Sequence, residues 1–260
     1  MKFASRLFLV CLLLVGVIAC NGAPLASSLT VYAAASLATA INAATATYTS
    51  AHPETKFTVS TGSSTALRTQ IEQGAKADLF LSADTKNPQA LVDGGLADGT
   101  ATNFAANKLA IVVPKGNPAG LSSPFDLAKD GVKVVAAGDA VPITAYAKTL
   151  IGNLASQPGA PTDFATKYAA NVISQEEDVK SVLTKVELSE ADGAIVYVTD
   201  AESSDKVDTI PLPDAAQVSS LYSGVVTKAS SFAAAAHAFL TWLAGPDGQK
   251  ALASFGFTPP

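Results

Sequence analysis

Two cysteines, two histidines, one methionine and one tryptophan are all that 260 residues supply of those types. Cys11 and Cys20 lie in or beside an apolar run at the amino terminus that reads as a leader, so a processed chain keeps Cys20 at most. No internal disulfide can then form, and the fold must hold by its core. About 240 residues suffice for one large domain or two modest lobes. His52 and His237 have no cysteine or carboxylate at metal-ligand spacing, which argues against a bound metal cation. Basic residues are scarce as well, 17 Lys and Arg against 22 Asp and Glu, and Lys2 and Arg6 would leave with the leader. A nucleic-acid partner needs a basic footprint, which this chain lacks. No Gly-rich loop carries a phosphate-binding lysine, so any ATP hydrolysis belongs to another chain. No Gly-x-Ser-x-Gly elbow surrounds Ser63 or Ser64, which makes a serine hydrolase the least favoured reading.

What is present begins with export. Lys2 and Arg6 precede an apolar core at 7–19, too short to span a bilayer. Val17-Ile18-Ala19-Cys20 resembles the lipobox of bacterial lipoproteins, with valine where leucine is usual. Residues 1–20 are therefore expected to be a signal peptide that leaves lipid on Cys20. Membrane association would come only through that lipid, at the periplasmic or outer face of the cytoplasmic membrane. Residues 21–28, small and with one proline, read as a tether.

From there strands and helices alternate with short loops. Strands are expected at 30–34, 56–60, 78–84, 108–113, 132–136, 172–173, 194–198, 207–211 and 221–226. Helices are expected between the first seven of these strands and, as a pair, after 232. The pattern predicts an α/β fold of doubly wound units. The last helices have no strands of their own and are expected to pack back on the beginning of the chain. That gives a discontinuous lobe, 29–107 plus 222–260, and a second lobe, 108–221, hinged near Lys108 and Leu221. Acidic residues 176–178 are expected in the first turn of a helix reaching 188, where they favour its dipole. Asp78 and Asp84 flank one strand, about 20 Å apart if extended, and read as turn or structural carboxylates. Arg68 reads as a solvated surface residue.

One stretch stands out. Gly62-Ser63-Ser64-Thr65 carries more hydroxyl than a single helix cap needs, just before the apolar face of Leu67 and Ile71. Upstream, 31–35 reads as a strand that meets Ser36 before a second helical pattern. Two strand–serine–helix junctions admit two readings: one anion held by hydroxyls and free N–H groups at paired helix starts, or two ordinary caps.

Further segments carry a resemblance. Val31-Tyr32-Ala33-Ala34-Ala35-Ser36-Leu37, the Gly-Ser-Ser-Thr run and Ala77-Asp78-Leu79-Phe80-Leu81-Ser82-Ala83-Asp84 resemble the molybdate-binding proteins of ABC importers. So do Gly138 with Val141-Pro142, Tyr146-Ala147-Lys148, Glu177-Asp178-Val179, Gly193-Ala194-Ile195-Val196-Tyr197, Gly245-Pro246-Asp247-Gly248 and Phe255-Gly256-Phe257. The resemblance spans 29–260 in order. It implies a two-lobed periplasmic-binding-protein fold of type II, with two mixed sheets joined by a hinge. The implied protein is a monomer without cofactor or enzymatic activity. It closes on molybdate, with tungstate not separable from it, and delivers the ion to a permease with its ATPase subunits. Sulfate or phosphate is the alternative cargo. Carried over by position, the oxyanion ligands would be Ser36 and Ser64 from the first lobe, with Ser63 beside them, and Ile143, Val179 and Tyr197 from the second. Ile143 stands where the family leads one to expect alanine. The chemistry suits the assignment: hydroxyls from the serines and the tyrosine, and backbone N–H groups from Ile143 and Val179 at helix starts.

Overall fold

The computed structural model describes residues 26–260. The expected signal peptide, Cys20 and most of the expected tether lie outside them. The tether also ends earlier than residue 28, because Ser27 and Ser28 already pair with Thr55 and Lys56.

The fold is α/β, and among the described residues nine strands form the sheet, eight on one path in the order β2-β1-β3-β9-β4-β7-β5-β6 and β8 off that path beside β4. The first half-sheet holds β1 (Ser27–Ala34), β2 (Thr55–Gly62) and β3 (Leu79–Ser82), all parallel. β9 (Ser219–Thr227) lies antiparallel against β3. Gly224 is required at that contact: a Cβ there would come within 2.7 Å of the Leu81 side chain and 3.1 Å of the Phe80 carbonyl. The second half-sheet holds β5 (Val134–Ala137), β6 (Val172–Glu176) and β7 (Gly193–Tyr197), parallel to one another, together with β8 (Val207–Ile210). β4 (Ala97–Pro114) joins the halves.

A strand was expected only from residue 108. β4 instead begins at Ala97, and 97–108 pairs with β9 while 109–114 pairs with β7 and β8. Its early part is polar and carries two shifts of register, between Asp98 and Thr102 and between Asn103 and Ala105. Bulges of this kind erase the alternation by which a strand is read from sequence. Along one edge of β4, β9 ends at Ser219 and β8 begins with the Ile111–Ile210 pair. The side-chain amide of Gln217 fills the gap: Oε1 accepts the Leu109 N–H at 3.1 Å, and Nε2 donates to the Leu109 carbonyl at 3.0 Å.

Helices cover the sheet: α1 (Ala38–Ala51), α2 (Ser64–Glu72), α3 (Lys86–Asp93), α4 (Pro142–Ala155), α5 (Phe164–Ala170), α6 (Val179–Glu187), α7 (Val198–Glu202), α8 (Ala233–Ala244) and α9 (Pro246–Ala253). Ser123 and Asp126 form a capping box, and a 3-10 turn, Pro124–Ala128, follows it. Valine 198, expected to close a strand, opens α7. The terminal pair α8 and α9 packs on the first half: Phe239 is fully buried, with its ring 4.6 Å from Phe57 and 5.1 Å from Tyr48. Each large apolar side chain buried this completely contributes about 1.5–3 kcal/mol. Thr258 adds a bridge back to Ala106. Among the described residues no helix is long and apolar enough to cross a membrane.

Candidate functional site

Register determines what meets at the centre. β1 and β2 run side by side with Ala34 opposite Gly62, so Ser36 and Ser64 each follow two residues beyond a matched pair. In the second half Ala137 stands opposite Glu176, and the two loops that follow lead together into α4 and α6. Tyr197 ends β7, which is parallel to β5. Every one of these positions lies at or beyond the carboxyl end of a parallel strand, where α/β sheets build their ligand sites.

Ser36, Ser63, Ser64, Ile143, Val179 and Tyr197 all line one small cavity, with about 10 Å³ open to the centre of a water-sized sphere. Ala34, Ala35, Gly62, Ala83, Val141, Pro142 and Asp178 complete its wall, so no lysine or arginine faces it.

Neither Ser36 nor Ser64 caps its own helix. Ser36 sits in a 3-10 turn, Ala35–Leu37, and its Oγ is 2.9 Å from the Tyr222 hydroxyl. Ser64 is the first residue of α2, and its Oγ accepts the Ala83 N–H at 3.1 Å. An oxygen occupied as acceptor leaves its own proton to donate. Ser63, half-buried, holds the cap position without a side-chain bond. Val179 is the first residue of α6, and its N–H belongs to the turn without intrahelical partners. Pro142 opens α4 but has no N–H, so Ile143 offers that helix's first donor. The Tyr197 ring is 1% exposed, and its hydroxyl has no hydrogen-bond partner among the described residues. Burial, reinforced by Tyr222 nearby, pushes its ionisation well above that of an ordinary phenol, so the group stays a neutral donor.

The acidic groups near the cavity are partly committed to structural bonds. The expected acidic first turn of α6 is not formed: Glu176 ends β6, and Asp178 is the cap, its Oδ1 accepting the Ser181 N–H at 2.9 Å. An extended Asp178 stops the helix from starting sooner. Glu176 accepts from Ser174 Oγ at 2.8 Å.

The match to the family model for bacterial extracellular solute-binding proteins runs over residues 29–258. The chain belongs to that family. Among curated relatives of this solute-binding protein is a molybdate-binding protein ModA from Mycobacterium tuberculosis, 34% identical over 236 residues, covering 90% of this chain and 86% of that protein. A solved substrate-binding domain assigned to a molybdenum ABC transporter of Clostridium difficile is 30% identical, with TM-score 0.66, covering 90% of this chain and 99% of that one. The sulfate-binding protein SubI of M. tuberculosis superposes with TM-score 0.78 at 20% identity, covering 90% and 87%, and shares the fold.

The remaining charged candidates of this solute-binding protein have structural roles. Asp78 accepts the Thr30 N–H and the Ser230 hydroxyl. Asp84 accepts from Ser82 and Asn87. Arg68 is half-buried rather than solvated, with Nε 3.6 Å from Glu72. His52 stacks on Tyr48, and His237 pairs with Asp98. Among the described residues no group of His, Cys, Asp or Glu is arranged to hold a metal ion. Four features of the structure were not assigned from the sequence. They are Tyr222 and Asn107 behind Ser36, the Thr65 hydroxyl donating to the Ala140 carbonyl at 2.6 Å between the half-sheets, and the buried Asp200, whose pKa burial raises against the Lys180 ammonium 3.0 Å away. A buried tyrosine or asparagine in a strand looks, in one sequence, like any other core residue.

Proposed function

We propose that this protein captures molybdate between two lobes, 29–107 with 222–260 and 108–221, and delivers it to an ABC importer made of a permease and ATPase subunits. Ser36, Ser64, Ile143, Val179 and Tyr197 hold the oxyanion, and Ser63 adds a donor at the rim. One observation carries the reading: residues with hydroxyls or helix-start N–H groups come from both half-sheets to line a single cavity, with no cationic side chain in its wall among the described residues. A dianion held by dipoles alone is selected by size and by the aim of each bond. An organic carboxylate would call for arginine, which the wall lacks, and of the carboxylate acceptors that hydrogenphosphate would call for the wall offers Asp178 alone, with one oxygen committed to the cap of α6. Tungstate matches molybdate in charge and shape and is bound as well.

Sulfate is the competing cargo, because the same donors suit any tetrahedral dianion and only size separates them. The family acts outside the cytoplasm and is one of solute binders. Anchoring through lipid on Cys20 and action as a monomer complete the proposal.

Isothermal titration of the leaderless chain tests it. Tight one-to-one binding of molybdate, undisturbed by excess sulfate or phosphate, is expected. Equal competition by sulfate would overturn the cargo and leave the site. No binding of any of the three would return the serines to a structural role.

A further inference from the structure

Ser36 Oγ and the Tyr222 hydroxyl are 2.9 Å apart, and distance alone does not say which donates. The surroundings of Tyr222 decide it. Its ring is fully buried, edge-on to Phe104, Tyr197 and Phe257. Besides Ser36, its hydroxyl has one hydrogen-bonding neighbour among the described residues, Asn107 Nδ2 at 3.5 Å. That amide is held in one orientation: Oδ1 accepts the Lys108 N–H at 2.9 Å, and Nδ2 donates to Thr199 Oγ1 at 2.8 Å. Turned over, it would set its NH₂ against the Lys108 N–H. Asn107 therefore offers Tyr222 a donor and no acceptor. Were Ser36 the donor, the phenolic proton would be buried with nothing to receive it, which costs more than a bond merely exchanged with water. The Tyr222 proton goes to Ser36 Oγ, and the Ser36 proton is left for the cavity.

We infer that Asn107 and Tyr222 are positioning residues: they fix Ser36 as a donor to the oxyanion and so deny a protonated ion an acceptor at that position. The inference rests on reading the cavity as an oxyanion site. Ser64 is polarised in the same sense by the Ala83 N–H. Burial keeps Tyr222 protonated far into the alkaline range, so the relay does not switch off near neutrality. An entering hydrogenphosphate or hydrogenarsenate would meet, at Ser36 and Ser64, hydroxyl oxygens that already accept from a neighbouring group.

Tyr222→Phe removes the proton and keeps the ring. The Ser36 hydroxyl is then free to rotate and present a lone pair. The test titrates molybdate into the wild type, Tyr222→Phe, Ser36→Ala and the double variant, with and without excess inorganic phosphate near neutral pH. Thermal melts accompany each titration. Tyr222→Phe is expected to bind molybdate about tenfold more weakly, to melt close to the wild type, and to let phosphate compete where the wild type does not. In the Ser36→Ala background the same change is expected to add nothing. Equal loss in both backgrounds would show a general structural effect and overturn the relay. So would a Tyr222→Phe protein that still excludes phosphate. A wild type that binds no tetrahedral oxyanion would instead overturn the site reading itself, an outcome visible before any variant is made.

Discussion

The two half-sheets bring different chemistry to one cavity. The first contributes side-chain hydroxyls, Ser36 and Ser64, each with its oxygen already engaged by a neighbouring group. The second contributes backbone N–H groups at the starts of α4 and α6, and a single phenol. Side-chain identity therefore matters on one wall, and backbone conformation on the other. Substitutions that delete a side chain should be harmful on the first wall and nearly silent at Ile143 and Val179. Substitutions that delete an N–H should do the reverse.

The largest effect is expected from Ser64→Ala, which removes a proposed donor to the anion and also strips the buried Ala83 N–H of its acceptor. Titration should show affinity falling by about 3 kcal/mol, with about 1 kcal/mol of stability lost in denaturant unfolding. Val179→Pro comes next. Asp178 is already extended, at φ −154° and ψ 173°, as a residue before proline must be. The first helical position accepts proline, so the variant deletes one N–H and leaves α6 in place. Affinity should fall by about 2 kcal/mol with the circular dichroism unchanged, whereas Val179→Ala should cost under about 0.5 kcal/mol. An equal loss in the two would erase the contrast between the walls.

Tyr197→Phe sharpens the comparison differently. Its hydroxyl is buried without a partner, so removing it should raise the stability of the ligand-free protein by about 1 kcal/mol while weakening molybdate by about 1.5 kcal/mol. Opposite signs in melting and titration would mark a group kept for the ligand. The smallest effect is that of pH. The Tyr197 and Tyr222 hydroxyls both ionise well above the ordinary phenol value. The stability these protons contribute is present below about pH 10, where the unfolded chain also keeps them, and is lost as pH rises past it. Molybdate affinity should be level from about pH 7 to 9, and thermal stability should fall only beyond about 10.

The same contrast explains what could be read from sequence. The hydroxyl cluster at 62–65 and the serine after β1 are conspicuous because a cap needs less than they offer. Ile143 and Val179 give no such signal; only resemblance singled them out, since an N–H is common to every residue but proline. β4 was half-read because its bulged start is polar and irregular, and the acidic run at 176–178 suggested a helix one turn too early. Asn107 and Tyr222 were invisible because their role depends on which atoms face which across β4 and β9.

Gln217 has a mechanical consequence. Where β4 passes from one half-sheet to the other, its partner along one edge is a side-chain amide in place of a strand. Two backbones hydrogen-bonded at that point would have to twist together or part. An amide on a rotatable stem can swing to follow Leu109 and keep both bonds while the strand flexes. The crossing thus keeps both Leu109 backbone groups paired through one side chain, so β4 passes between the half-sheets without an unpaired edge at that residue.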